Sequence, residues 1–226
     1  MNPLQLLLYD LDGTIVDSNE LIVATFAKVF AEHLPQIVLT KADFVQMMGP
    51  PLLETFQTYV TDPDTIEAMI QTYLKHYRAD EFDYLTVYPG MLEALKFFHE
   101  HGFKQVIVTT KYHRSAAPSI RHFGIDQWID GVIALEDVKR PKPDPEPIRL
   151  AMSRFPGMKA IMIGDNTTDI LAGKNAGILT LGVRYSYKLD ELKAANPDGW
   201  IENGTDLIRW VSDYNHKEEA NGLRIL

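Results

Sequence analysis

The fold class this sequence predicts is α/β: a doubly wound parallel sheet with an all-α domain inserted near its start. Three observations predict it. Short apolar runs recur along the chain without polar alternation, as strands buried on both faces require. Amphipathic stretches separate them, which gives the strand–helix rhythm of a parallel sheet. One stretch, residues 17–84, breaks the rhythm and carries helical periodicity only.

The elements follow in order. "LQLLLYD" is the first buried strand, and "FKQVIVTT" (103–110), "DGVIAL" (130–135), "KAIMIGD" (159–165) and "ILTLGV" (178–183) are four more, each short and mostly rich in Val and Ile. "MLEALKFFHEHG" follows the Pro89–Gly90 turn as a helix, with Gly102 suited to close it. "RSAAPSIRHFG" closes on Gly124 in the same way, while "EPIRLAMSRF" and "TDILAGKNAG" precede and follow the fourth strand as helices. Within the insert, "DSNELIVATFAKVFAEHL" reads as an amphipathic helix with Ile22, Phe26, Val29 and Phe30 on one face. Asp17 with Glu20 predicts a capping box at its start. "GPPLLETFQTYV" reads as a second helix with proline in its first turn, and "DPDTIEAMIQTYLKHYRADEF" as a third. The expected division is 1–16 plus 85–226 for a Rossmann-like core and 17–84 for the helical insert. No repeat or low-complexity tract interrupts it, and the order of the polar tail "NHKEEANGLRIL" is left open.

Composition narrows the function classes. The 226 residues are 46% hydrophobic and 23% charged, ordinary for a soluble globular chain. No run approaches the ~20 apolar residues of a membrane span. The start lacks the basic region of a signal peptide. The absence of cysteine excludes disulfides and thiolate metal sites, and fits a cytoplasmic setting. A net charge of −9 with no basic block argues against nucleic acid as a partner, and no membrane partner is expected.

In an open α/β sheet, ligands bind outside the carboxyl ends of the strands. The first strand ends in Asp10, with Asp12 just beyond; the second ends in Thr109 and Thr110, with Lys111 next. The fourth ends in Gly164–Asp165, with Asp169 following, and the proline-stiffened loop "KRPKPDPEP" before it carries Lys142. Parallel strands bring four carboxylates, two hydroxyls and one or two amines to one edge. Carboxylates gathered so closely need a cation, and an oxygen-only set suits Mg²⁺. A lysine and hydroxyl donors beside such an ion describe a phosphoryl site. An aspartate there can also act as nucleophile and form an aspartyl-phosphate.

"DLDGT" at 10–14, Thr109 closing "VIVTT", Lys142 in "KPDP" and "GDNTTD" at 164–169 resemble, in order and spacing, the four motifs of the haloacid dehalogenase superfamily. The resemblance covers nearly the whole chain, since the helical insert matches the cap domain that one subgroup carries after its first strand. It implies roles residue by residue. Asp10 would be nucleophile and metal ligand; Asp12, general acid and base with its backbone carbonyl on the metal; Thr109, with the Thr110 N–H, a phosphoryl donor; Lys142, the neutralising cation. Asp165 would ligate Mg²⁺, and Asp169 would support the metal or orient Lys142. Superfamily dehalogenases lack the second aspartate, so the pair Asp10 and Asp12 implies phosphoryl chemistry. Asn166 departs from the Ser, Thr or acid common at its position and touches only the tuning of the metal site.

The cap would close over the site and contact the leaving group. "DSNELI", "GPPLLETF" and "MIQTYLKHYR" resemble bacterial pyrophosphatases and phosphoglycolate phosphatases of the superfamily more than sugar phosphomutases. The expected substrate is a small anionic phosphorylated metabolite or pyrophosphate, handled by a monomer or weak dimer. Lys41, Arg78 and Lys111 are candidates for a second anionic group. A phosphomutase on the same core and a non-catalytic binding protein are the rival readings; the second would be marked by loss of a motif aspartate or lysine, and none is lost.

Each residue also has a plainer reading. Asp-Gly can simply make a turn, Thr109 can be a β-former at a strand end, and Asp169 suits the first turn of a helix. Gly49 and Pro50–Pro51 can join two helices. Lys41, Arg78, Lys139 and Arg140 read as surface charge, the aromatics of 56–84 as insert core, and the seven histidines show no ligand spacing.

Overall fold

The computed structural model describes residues 3–223. In chain order the strands and helices are β1 (Leu4–Tyr9), β2 (Val16–Asp17), α1 (Asn19–His33), α2 (Lys41–Met47), α3 (Leu52–Gln57), α4 (Pro63–Tyr84), β3 (Thr86–Val87) and α5 (Met91–Glu100). They continue as β4 (Lys104–Val108), α6 (His113–His122), β5 (Gly131–Ile133), α7 (Glu146–Ser153), β6 (Lys159–Gly164), α8 (Thr167–Ala176), β7 (Leu179–Val183), α9 (Leu189–Ala194), β8 (Gly199–Ile201) and α10 (Gly204–Leu223). Two compact units result: one runs to Val16 and resumes at Val87, and the other spans Asp17–Thr86. Short strands β2 and β3 form a separate two-stranded sheet.

The larger unit is built on a parallel six-stranded sheet in the order β5-β4-β1-β6-β7-β8. From β1 the chain winds outward through β4 and β5, then crosses back to β6 and winds the other way. The order therefore reverses beside β1, the topological switch point where such sheets open a crevice at their carboxyl ends. Strand alternation explains the two covered faces. Leu6, Leu8, Val106, Val108 and Met162 pack with Ile148 and Ala151 of α7 and Ala172 of α8. On the opposite side Tyr9 donates its hydroxyl to Gln105 Oε1 at 2.9 Å, and Gln105 Nε2 donates to the Leu95 carbonyl of α5 at 2.8 Å. These buried polar groups thus satisfy each other, and α10 packs against α5.

The smaller unit is all helix apart from the strand residues at its two ends, and is held by aromatic packing. Phe26 of α1 meets Phe56 of α3 at 5.8 Å and Tyr73 of α4 at 4.8 Å between ring centroids. Phe30 meets Tyr59 edge-on at 4.9 Å, and Tyr73 stacks on Tyr77 at 5.8 Å. Phe82 and Tyr84 are exceptions to the expected aromatic core, since both stay exposed.

Several local expectations are corrected. Ser18, not Asp17, is the residue before α1, and the Asp17–Glu20 box does not form. Asp17 Oδ1 instead accepts from the Asn19 backbone and side chain. Pro51 sits just before α3 rather than in its first turn, where its extended backbone suits the approach. Helix α2 has no counterpart in the sequence reading. Its start carries a full capping box between Thr40 and Asp43, with the Asp43 N–H donating to Thr40 Oγ1 at 3.3 Å. A sixth strand, β8, extends the sheet, and the stretch left open at the end continues α10 to Leu223. Residues 224–226 of that stretch lie outside the described residues.

Candidate active site

Asp10, Thr109 and Asp165 directly follow the ends of β1, β4 and β6, and Lys142 lies in the loop between β5 and α7. The apolar run of β1 is buried at every position except Gln5, and its last turn of register presents Asp10 at the carboxyl edge. Backbone joins this point to β6: the Asp10 N–H donates to the Ile163 carbonyl at 2.9 Å. Gly13 then turns the chain at φ 81°, and a Cβ there would lie 2.4 Å from Asp165 Oδ2. Glycine is required twice over, by the dihedral and by the close approach of the β6 loop.

From the neighbouring strand, Thr109 is nearly buried, its N–H donating to the Ile133 carbonyl at 2.9 Å. Its hydroxyl oxygen accepts the Lys111 N–H at 3.1 Å. Lys111 in turn places Nζ 2.8 Å from Asp12 Oδ1. Thr110 is half-buried at the same strand end. Lys142, before α7, is buried and donates all three of its protons: to Asp10 Oδ1 at 2.8 Å, the Val108 carbonyl at 2.8 Å and Asp169 Oδ1 at 2.5 Å. Asp169 is fixed from its other side, since Oδ2 accepts the Asn166 N–H at 3.0 Å in the capping box that starts α8. Structural and site roles thus coincide in this residue. Gly164 permits the approach, because a Cβ there would fall 2.3 Å from Asp169 Cβ.

Electrostatics at this edge are those of carboxylates held out of water. Burial, with Asp169 and Asp12 adding to it and Lys142 opposing, pushes Asp10 up from 3.8 to about 7. Burial, then Asp10 and Asp169, likewise pushes Asp165 well above the usual carboxylate range. Burial works against the Lys142 charge as well, but Asp10 and Asp169 outweigh it and hold the ammonium charged.

Carboxylate oxygens of Asp10, Asp165 and Asp169 lie within 4.8 Å of one another. Three carboxylates against one ammonium leave two negative charges if all are ionised, the deficit a divalent cation would fill. Thr14 Oγ1 adds a weak donor to Asp165 Oδ1 at 3.4 Å, and Thr167 Oγ1 is buried without a partner among the described residues. An all-oxygen set of this kind fits a hard cation and not a thiolate- or imidazole-bound one. The carboxylate of Asp12 stands outside the cluster, engaged with Lys111.

Asp10, Thr109, Lys142, Asp165 and Asp169 are therefore brought together at the switch point, with Asp12, Thr110 and Lys111 on the same edge. Lys41 and Arg78 are exposed on α2 and α4 of the helical unit. Sequence reasoning missed the segment after β7. Tyr185 donates its hydroxyl to the Thr14 carbonyl at 2.7 Å and Ser186 donates to the Asp165 carbonyl at 2.6 Å. The signal that could have found it is positional: "YSYK" follows the fifth predicted strand at the edge where ligands bind.

Residues 7–183 match the haloacid dehalogenase-like hydrolase family. A pyrophosphatase PpaX of Halalkalibacterium halodurans is 40% identical over 204 residues, covering 89% of this chain and 94% of that protein. A Listeria monocytogenes pyrophosphatase PpaX is 40% identical over 212 residues, 92% of this chain and 96% of that protein. Among solved structures, a predicted phosphatase from Clostridium acetobutylicum superposes with a TM-score of 0.80 at 26% identity, covering 94% and 100% of the two chains. The chain belongs to the haloacid dehalogenase-like hydrolase family, whose solved members share its mostly parallel sheet flanked by helices. No helix among the described residues is long and apolar enough to cross a membrane.

Proposed function

We propose that this protein is a Mg²⁺-dependent phosphohydrolase that cleaves pyrophosphate or a small phosphorylated metabolite through an aspartyl-phosphate on Asp10. The single observation that carries the reading is the buried contact of Lys142 with Asp10 and Asp169 beside Asp165, a nucleophile, its cation and a metal-competent acid held at one switch point. The relatives named pyrophosphatase support the choice of a phosphoanhydride as substrate. In this reading the α/β unit is the catalytic core, the helical unit is its cap, and the enzyme works in the cytoplasm as a monomer or weak dimer.

Asp10, Asp165 and Asp169, with the Asp12 backbone carbonyl, would hold the ion, which would supply positive charge against the phosphoryl oxygens. Asp10 attacks phosphorus, the bond from phosphorus to the leaving oxygen breaks, and Asp12 gives that oxygen its proton. Asp12 then takes a proton from water as the water attacks the phosphorus of the aspartyl-phosphate. Inorganic phosphate departs and the Asp10 carboxylate is restored. Lys142 opposes the effect of burial on Asp10, favouring its ionised form, and neutralises the incoming group. Thr109 and the Thr110 N–H donate to the transferring phosphoryl oxygens, positioning it for in-line attack. In the substrate-free arrangement Lys111 pairs with the Asp12 carboxylate at 2.8 Å, so Asp12 takes up a proton as that pair opens before it acts as the acid.

Phosphate release from pyrophosphate, 2-phosphoglycolate, nucleoside monophosphates and sugar phosphates tests the reading, with Asp10→Asn as blank. A Mg²⁺-dependent release that the blank lacks is expected. Conversion of a hexose 1-phosphate to the 6-phosphate without free phosphate would favour the phosphomutase instead.

A further inference from the structure

We propose that Lys188 is a specificity-determining residue of this site: its ammonium takes the second anionic group of a substrate that carries negative charge beyond the transferred phosphoryl. The assignment deepens the phosphohydrolase reading and rests on it. Strand β7 lies beside β6, on the side away from β4, so the segment after β7 opens at the same carboxyl edge as Asp165. That segment is tied to the site by two hydroxyls. Tyr185 donates to the Thr14 carbonyl and Ser186 to the Asp165 carbonyl, at 2.7 and 2.6 Å. The Lys188 N–H donates to Ser186 Oγ at 2.9 Å, so the one hydroxyl proton of Ser186 is committed to Asp165. The Tyr185 ring stacks on Tyr88 at 4.0 Å, which fixes the other side of the segment. The lysine backbone is thereby one hydroxyl away from the Asp165 backbone.

The placement of this lysine works against the fold. Only 9% of Lys188 is exposed, although a lysine ordinarily keeps its ammonium in water. It stands at the N-cap of α9, where a cation opposes the helix dipole and makes no side-chain cap. Burial pulls its pKa down, and the carboxylates of Glu191 and Asp165 only partly offset this. A serine or aspartate would start the helix better. A buried cation held at the catalytic edge is instead suited to an arriving anion: the distal phosphate of a diphosphate or the carboxylate of a phosphorylated acid.

Calorimetric binding in Mg²⁺ to methylenediphosphonate, phosphonoacetate and methylphosphonate tests this. The unaltered protein should bind one of the two doubly anionic probes more tightly than methylphosphonate, and which one identifies the second group as phosphate or carboxylate. Lys188→Met should weaken that probe about tenfold or more while changing methylphosphonate by less than about threefold, and Lys188→Arg should keep most of the difference. Lys188→Gln reads the same ratio if the methionine variant does not fold. Equal weakening of all three probes, as expected of a mere counter-ion to Asp165, overturns the proposal. So does an unaltered protein without preference for a second anion. Anion preference through Lys188 in a protein that releases no phosphate would sink the hydrolase reading and reduce Lys188 to an anion site, whereas phosphate release without that preference would sink the Lys188 assignment alone.

Discussion

The two units treat charge in opposite ways. The helical unit buries aromatic rings and keeps its ionised side chains at or near the surface, with Glu81 the one charged residue it buries. Around the carboxyl edge of the sheet, the α/β unit buries Asp10, Lys142, Asp169 and Lys188. Ion pairs taken out of water seldom stabilise a fold more than apolar residues of the same shape would. Where a protein retains a cluster of them, the reason is sought in chemistry. The contrast therefore separates packing from function without reference to any relative.

The largest effect expected is at Asp10. Asp10→Asn should lower phosphate release on the order of 10⁴-fold with a melting temperature close to that of the unaltered protein, since the amide keeps the shape and removes a charge burial disfavours. A melting temperature that collapses with the activity would make Asp10 a packing residue after all. Lys142→Met should lose both properties. It leaves Asp10 and Asp169 without their cation, a loss of about 3–5 kcal/mol, or a drop in melting temperature on the order of 10 °C for a chain this size.

Phe26→Ala is the counterpart in the helical unit. Removing a ring packed on Phe56 and Tyr73 should cost about 3–5 kcal/mol. It should leave Mg²⁺-induced stabilisation intact, which thermal melts with and without the ion would show. A loss of that stabilisation would tie the aromatic cluster to the acidic one.

A pH effect should be specific to the α/β unit. Asp10 sits at about 7 when folded against 3.8 ordinarily, so the folded chain holds its proton more tightly than the unfolded chain. The resulting stability is complete below about 4 and is lost as pH rises through about 7; the raised Asp165 acts in the same direction. Metal-free protein should thus melt higher at pH 6 than at pH 8, and Mg²⁺ should raise the melting temperature more at pH 8. Melts of EDTA-treated protein that are flat or opposite in slope would contradict the buried-carboxylate account. Smallest of all, Lys41→Ala and Arg78→Ala should each change stability by less than about 0.5 kcal/mol, as exposed substitutions do. A large loss of activity at either would restore its candidacy for a second anion.

The same contrast explains what was legible in the sequence. Strands buried on both faces announce themselves as apolar runs, so five of the six sheet strands and the acidic residues at their ends could be read directly. The three residues of β8 are too few to show a period, and their place at the sheet edge comes from pairing with β7. Helix α2 was signalled by Thr40 and Asp43 but carries little apolar periodicity, and only Met47 of it is buried. Asp17 looked like a cap, yet the chain turns one residue later at Ser18. Contacts between loops leave no local pattern at all, and so Tyr185, Ser186 and Lys188 emerged only once β7 had been placed beside β6.

Phosphorylation of Asp10 itself is the most direct test. Protein mixed with Mg²⁺ and pyrophosphate, quenched in acid within one turnover and digested, should show the mass of one added phosphoryl group on the peptide carrying Asp10. The signal should decay as free phosphate appears and be absent from Asp10→Asn. Steady release of phosphate with no modified Asp10 at any quench time, or release that survives Asp10→Asn, would contradict the account.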